Sequence, residues 1–91
     1  MEELHKIFKT LSELNRVKIL YCMSDGPKSV SQIIESTALS QPLASFHLKA
    51  LREAGLVVAK RKSTIVLNEL SSPQLITLFE EFRKLCADNK L

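Results

Sequence analysis

Residues 40–57 read Ser40-Gln41-Pro42-Leu43-Ala44-Ser45-Phe46-His47-Leu48-Lys49-Ala50-Leu51-Arg52-Glu53-Ala54-Gly55-Leu56-Val57. This run carries its own start, face and stop. Ser40 supplies a side-chain oxygen to a free amide of the first turn, and Pro42 loses nothing there by lacking an N–H. Ala44, His47, Leu48 and Leu51 step 3-4-7 and form an inward face. Gly55 ends the helix. The outward face holds Gln41, Leu43, Ser45, Phe46 and Lys49. The spacing predicts a helix over 40–54 with an unusual outer surface, part polar, part apolar and part cationic.

Upstream, Ser29 and Gln32 have capping-box spacing and open a short helix whose apolar content is Ile33 and Ile34. It frays into Ser36-Thr37-Ala38-Leu39, which leaves a turn of about four residues before Ser40. Downstream, 56–61 and 64–68 alternate as strands: Val57, Ala59 and Arg61 on one side, Leu56, Val58 and Lys60 on the other. Lys62-Ser63 is the expected hairpin turn, without the Gly or Asn such turns prefer.

Farther out, Leu4, Ile7, Phe8 and Leu11 share one face of a helix over 2–12. Val17, Leu20 and Tyr21 share a face over 15–23, and Asp25-Gly26-Pro27 stops that segment. Ser72 and Pro73 begin a last helix with Leu75, Leu78, Phe79, Phe82, Leu85 and Cys86 as its apolar stripe. The order is α-α-α-α-β-β-α. The expected fold is mainly α with a β-hairpin wing, a winged helix-turn-helix.

Ninety-one residues suit a single domain, 1–91. Two glycines and three prolines speak against a loop-rich fold, and 45% hydrophobic with 25% charged residues is a globular composition. The sequence has no apolar run long enough for a membrane span, and Met1-Glu2-Glu3 is an acidic start without an apolar signal region; the expected location is the cytoplasm. Cys22 and Cys86 stand far apart without CxxC spacing, so no zinc finger is indicated. No Ser-His-Asp, Cys-His, paired-carboxylate or glycine-rich phosphate-loop pattern is visible, and the expectation is a protein that is not an enzyme and needs no cofactor.

The formal charge is +3. It is concentrated in residues 49–62, where Lys49, Arg52, Lys60, Arg61 and Lys62 face one acid, Glu53. A localised basic patch beside an outward-facing helix points to a polyanion. The 40–54 helix would enter a major groove of double-stranded DNA. Lys49 and Arg52 would flank it, and the wing, 60–64, would reach phosphates. The expected DNA-binding set is Ser40, Gln41, Pro42, Leu43, Ser45, Phe46, Lys49, Arg52, Lys60, Arg61 and Lys62. A second reading makes the winged helix a protein-interaction module with Leu43 and Phe46 as anchors. The five cations argue against it.

These residues resemble a known family. Leu11-Ser12-Glu13-Leu14-Asn15-Arg16-Val17-Lys18-Ile19-Leu20 is similar to the "LSDPTRLRIL" segment of ArsR-type winged-helix transcription regulators. The 40–57 run resembles their "SQxxxSxHLxxLxxAGLV" pattern. The resemblance implies a homodimeric repressor built through the first and last helices. Here those would contribute Leu4, Ile7, Phe8 and Leu11, and Leu75, Leu78, Phe79 and Phe82. It also implies two recognition helices on a two-fold symmetric operator.

Many members sense metals. The cysteine pair of their "CVC" motif aligns with Ser29-Val30-Ser31, and hydroxyls are poor ligands for soft or borderline ions. The last helix has no histidine, and His47 matches the family's packed histidine. No metal site is therefore expected. A thiol-responsive branch pairs one cysteine in the second helix with one near the end of the last. Cys22 and Cys86 lie in those helices, each displaced by one residue, about 100° of rotation. They are the candidate redox pair. In the recognition helix, Phe46 stands where the family usually has Arg, Gln, Lys or His. Leu43 replaces a frequent Thr or Ser. Hydrogen-bonded base readout would fall on Gln41 and Ser45, with a lean towards A·T pairs.

Overall fold

A computed structural model describes residues 1–90. Five helices and a hairpin follow in the order α1 (Glu2–Leu11), α2 (Leu14–Cys22), α3 (Val30–Thr37), α4 (Gln41–Glu53), β1 (Val57–Lys62), β2 (Ile65–Leu70) and α5 (Gln74–Asp88). The expected order is the observed one. Ile19, Leu20, Met23, Ile33, Leu48, Leu51, Leu56 and Val57 form the core, at the junction of α2, α3, α4 and the start of β1.

Local chemistry accounts for the helix ends. Ser29 Oγ accepts from the Gln32 amide while the Gln32 side chain accepts from the Ser29 amide, a complete capping box. Beyond α3 the chain differs from expectation. It does not fray: α3 stays regular to Thr37, and Ala38 then takes a left-handed φ of 61°. The Thr37 hydroxyl donates to the Ile33 carbonyl and accepts from the Leu39 amide, so the turn's polar groups are occupied. Only Ala38, Leu39 and Ser40 separate α3 from α4. At the far end of α4, Gly55 (φ 79°) donates to Arg52 and Leu56 donates to Leu51. This is a Schellman termination, and it drives Leu56 into the core.

The hairpin pairs Val57 with Leu70 through Lys62 with Ile65. The turn is therefore Ser63-Thr64, one residue later than the sequence suggests. Ser63 supplies the left-handed φ, 57°, that a glycine would ordinarily provide. Strand alternation is also weaker than expected: Val57 is buried, whereas Ala59 and Arg61 on the same side are exposed, because the strand runs out past the core. A short bridge pins the hairpin to the body. Lys28 and Asn68 exchange backbone hydrogen bonds at 2.8 and 2.7 Å, and the Asn68 side chain donates to the Lys28 carbonyl at 3.3 Å. Asn68 is thus buried with its amide donor satisfied.

Neither α1 nor α5 has a fully buried residue. Tyr21 ties α5 to α2: its hydroxyl donates to Glu80 Oε2 at 2.6 Å, its ring lies 6.2 Å from that of Phe79, and Arg83 pairs with Glu80 at 2.9 Å. Arg83, then the Tyr21 hydroxyl, hold the Glu80 carboxyl below the ordinary carboxylate range. The same hydrogen bond to Glu80, with some burial, pushes the Tyr21 phenol up.

Candidate nucleic-acid interface

α3 and α4 pack against each other across the three-residue turn Ala38-Leu39-Ser40. Ser40 Oγ accepts from the Leu43 amide at 3.3 Å and occupies the N-cap, with Pro42 in the first turn. The expected division of α4 holds. Ala44, His47, Leu48 and Leu51 are buried. Gln41, Pro42, Leu43, Ser45, Phe46, Lys49 and Arg52 are exposed. Leu43 is 47% and Phe46 61% exposed, so the outer face carries two apolar side chains free of the core.

The Phe46 ring stands edge-on to His47, centroids 5.4 Å apart, and lies 5.8 Å from the Arg16 guanidinium carbon. Arg16 Nε donates to His47 Nδ1 at 3.1 Å, which requires that nitrogen to be unprotonated. His47 is therefore a packed, hydrogen-bonded residue of the inner face. Arg16 is absent from the expected site. Its signal in the sequence is its place in the Leu11–Leu20 segment, where it coincides with the first arginine of the "LSDPTRLRIL" pattern.

The wing's cations differ in their partners. Lys60 forms an ion pair with Glu69 across the hairpin. In the free chain its ammonium therefore has a carboxylate neighbour of its own. Arg61, Lys62, Lys49 and Arg52 are exposed. They have no ion pair among the described residues, where the pairs are Lys28–Asp25, Lys60–Glu69 and Arg83–Glu80.

The expected dimer residues separate into two sets. Leu4, Phe8, Leu78 and Phe82 are exposed, while Ile7, Leu11, Leu75 and Phe79 are partly buried against the chain's own core. Seven of these eight, all but Leu4, line a groove of about 480 Å³ between α1 and α5, which Val17 and Tyr21 of α2 also line. Cys22 is half-buried against the core, Cys86 is exposed on α5, and both are free thiols. Ser29, at the first position of the aligned cysteine motif, is spent on capping α3. Among the described residues no three His, Cys, Asp or Glu side chains cluster as a metal site, and no helix is long and apolar enough to cross a membrane.

A helix-turn-helix whose second helix is presented beside a basic hairpin defines the winged-helix class. The family model described as "bacterial regulatory protein, arsR family" matches residues 14–58. A helix-turn-helix transcriptional regulator of Methanocaldococcus jannaschii is 36% identical over 86 residues, 94% of this chain and 84% of that protein. A probable mercury resistance operon repressor of Streptomyces lividans is 30% identical over 84 residues, 92% of this chain and 67% of that protein. Among solved structures, a homodimeric winged helix-turn-helix DNA-binding domain from Mycobacterium bovis superposes with a TM-score of 0.85. The match covers 99% of this chain and 83% of that one, at 24% identity. The chain belongs to the arsR family of transcriptional regulators, and it is not an enzyme.

Proposed function

We propose that the chain, as one domain over residues 1–91, acts in the cytoplasm as a homodimeric repressor that binds double-stranded DNA. The observation that carries this is an exposed α4 face that holds Lys49 and Arg52 and is followed by a hairpin that carries Arg61 and Lys62, all four exposed and without an ion pair among the described residues. Cations placed this way fix a helix in a major groove through phosphates, while Gln41 and Ser45 read base edges. Leu43 and Phe46 offer apolar contact to thymine methyl groups, which favours an A·T-leaning operator.

Dimerisation follows from the uncovered α1–α5 groove. Leu4, Phe8, Leu78 and Phe82 expose apolar surface on these two helices, and a second copy related by two-fold symmetry would cover it. The signal that releases DNA is not a metal held at the aligned cysteine positions. Ser29 and Ser31 replace both thiolates, and Ser29 already accepts a helix amide.

The test is fluorescence anisotropy with the DNA directly upstream of the chain's own gene and a scrambled duplex of equal length, at about 0.15 M salt. An affinity gap of roughly 10³ or more is expected. Binding site selection from a random duplex pool is run beside it. Failure of any sequence to enrich would overturn the reading and favour a protein partner for Leu43 and Phe46.

A further inference from the structure

Arg16 joins three elements around the recognition helix. It rises from the first turn of α2. Nη1 donates to the Thr10 carbonyl in the last turn of α1 at 3.4 Å, Nε donates to His47 Nδ1 in α4 at 3.1 Å, and the guanidinium lies over the Phe46 ring at 5.8 Å. No carboxylate pairs with it among the described residues. Its acceptors are a carbonyl, an imidazole nitrogen and an aromatic face. A planar guanidinium can serve all three at once, because its N–H groups point outward in the plane while its face stays free to stack. An ammonium, a point donor on a flexible stem, cannot.

We propose that Arg16 is a positioning residue for DNA recognition. It sets the rotation of α4 through His47, holds Phe46 at the outer face, and links both to α1, the helix assigned above to the dimer. The proposal rests on the DNA-binding reading of the previous subsection. Phe46 is the reason the link matters here. An exposed aromatic ring is free to rotate about two torsions, and with a cation above it and His47 at its edge it is held in one setting. A recognition helix that carries Phe46 therefore reads sequence through a side chain placed from α2. An α1 displaced against α2 would pull on the Thr10 hydrogen bond and pass that change to the same ring.

The experiment compares the duplex enriched from a random pool with its scrambled counterpart, for wild type, Arg16→Gln, Arg16→Lys, Phe46→Leu and the Arg16→Gln/Phe46→Leu double variant. Circular dichroism and sedimentation verify fold and assembly. Arg16→Gln is expected to lose about tenfold or more on the enriched duplex, the size of one good base contact. Affinity for the scrambled duplex and the salt slope stay unchanged. In the Phe46→Leu background the same change has a markedly smaller effect, because the ring that Arg16 holds is gone. Arg16→Lys recovers less than half of the logarithmic loss. Should Arg16→Gln not fold, the partial loss expected of Arg16→Lys carries the test. Equal losses on both duplexes with a salt slope reduced by about one would make Arg16 a phosphate contact and overturn the proposal. Unchanged specific affinity, or full rescue by lysine, would do the same. A wild type that distinguishes no duplex fails the DNA-binding reading itself before any variant is compared, and the proposal falls with it.

Discussion

Lys60 and Arg61 are neighbours of equal charge and unequal availability. Glu69 stands opposite Val58 in the strand register and takes the Lys60 ammonium, whereas Arg61, on the other side of the strand, has no ion pair among the described residues. Exposed pairs of this kind contribute little to stability, but while the pair holds, the Lys60 ammonium stays on Glu69. Arg61→Ala with Lys62→Ala should therefore flatten the salt dependence of binding to every duplex, by about 0.9 in logarithmic slope for each phosphate no longer neutralised. Lys60→Ala alone should change it less. A Lys60 variant with the larger effect would show that Glu69 releases it on DNA. Tyr21 is the sole tyrosine in a chain without tryptophan. Its folded-state value is raised by Glu80, so the neutral phenol and its hydrogen bond are fully present below the unfolded value of about 10 and are lost as pH rises through the folded one. Glu80 is the opposite case: its lowered value means that its share is present above the ordinary carboxylate range and is lost as pH falls. Absorbance titration of the phenolate should place Tyr21 above about 10, and Glu80→Gln should bring it back towards that value. An unshifted wild-type titration would mean that the hydrogen bond between α2 and α5 is not kept in solution.

At the scale of elements, what could be read was what local chemistry decides. Ser29 with Gln32, and Ser40 with Pro42, announce two helix starts by the hydrogen bonds they can make, and both starts stand where expected. The 3-4-7 spacing of Ala44, His47, Leu48 and Leu51 sorts α4 correctly into inner and outer faces. The misses fall where a residue adopts a conformation its type does not advertise. Ala38 and Ser63 both take positive φ, the region usually left to glycine or asparagine. Ala38 therefore ends α3 cleanly where a frayed end is expected, and Ser63 moves the hairpin turn by one residue. The Lys28–Asn68 bridge and the reach of Arg16 to His47 are likewise not legible, since each joins residues far apart in sequence. The capping box gives a direct check at this scale. Ser29→Ala should lower stability by about 1 kcal/mol, read from the denaturation midpoint at constant m value. A change well below that would mean that α3 is held by Ile33 packing alone.

Across the whole molecule, the 49 × 26 × 23 Å envelope is elongated. The core sits where α2, α3, α4 and the start of β1 meet, while most of α5 and the outer hairpin lie outside it. A shape of this kind leaves much apolar surface unclaimed, and the sequence already hints at it through two strongly apolar terminal helices. Sequence cannot divide those residues between the chain's own core and a second copy, because both uses select the same side chains at the same spacing. The structure makes the division: Phe79 lies near Tyr21 and belongs partly to the body, whereas Phe82, 58% exposed, does not. A charge at Phe79 would disturb folding and assembly together. Phe82→Glu is the cleaner probe. It should leave the unfolding midpoint nearly unchanged at concentrations where the wild type is also dissociated, as expected for an exposed site, while sedimentation at higher concentration shows the monomer mass where the wild type is a dimer. Two recognition helices held in one dimer engage their half-sites with a high effective concentration, so separating them should reduce affinity for a two-fold operator by about two orders of magnitude or more. Binding to a scrambled duplex, which comes from the cations on each copy, should fall far less. A Phe82→Glu protein that still sediments as a dimer would move the interface away from the α1–α5 groove, and the apolar surface there would then need another occupant.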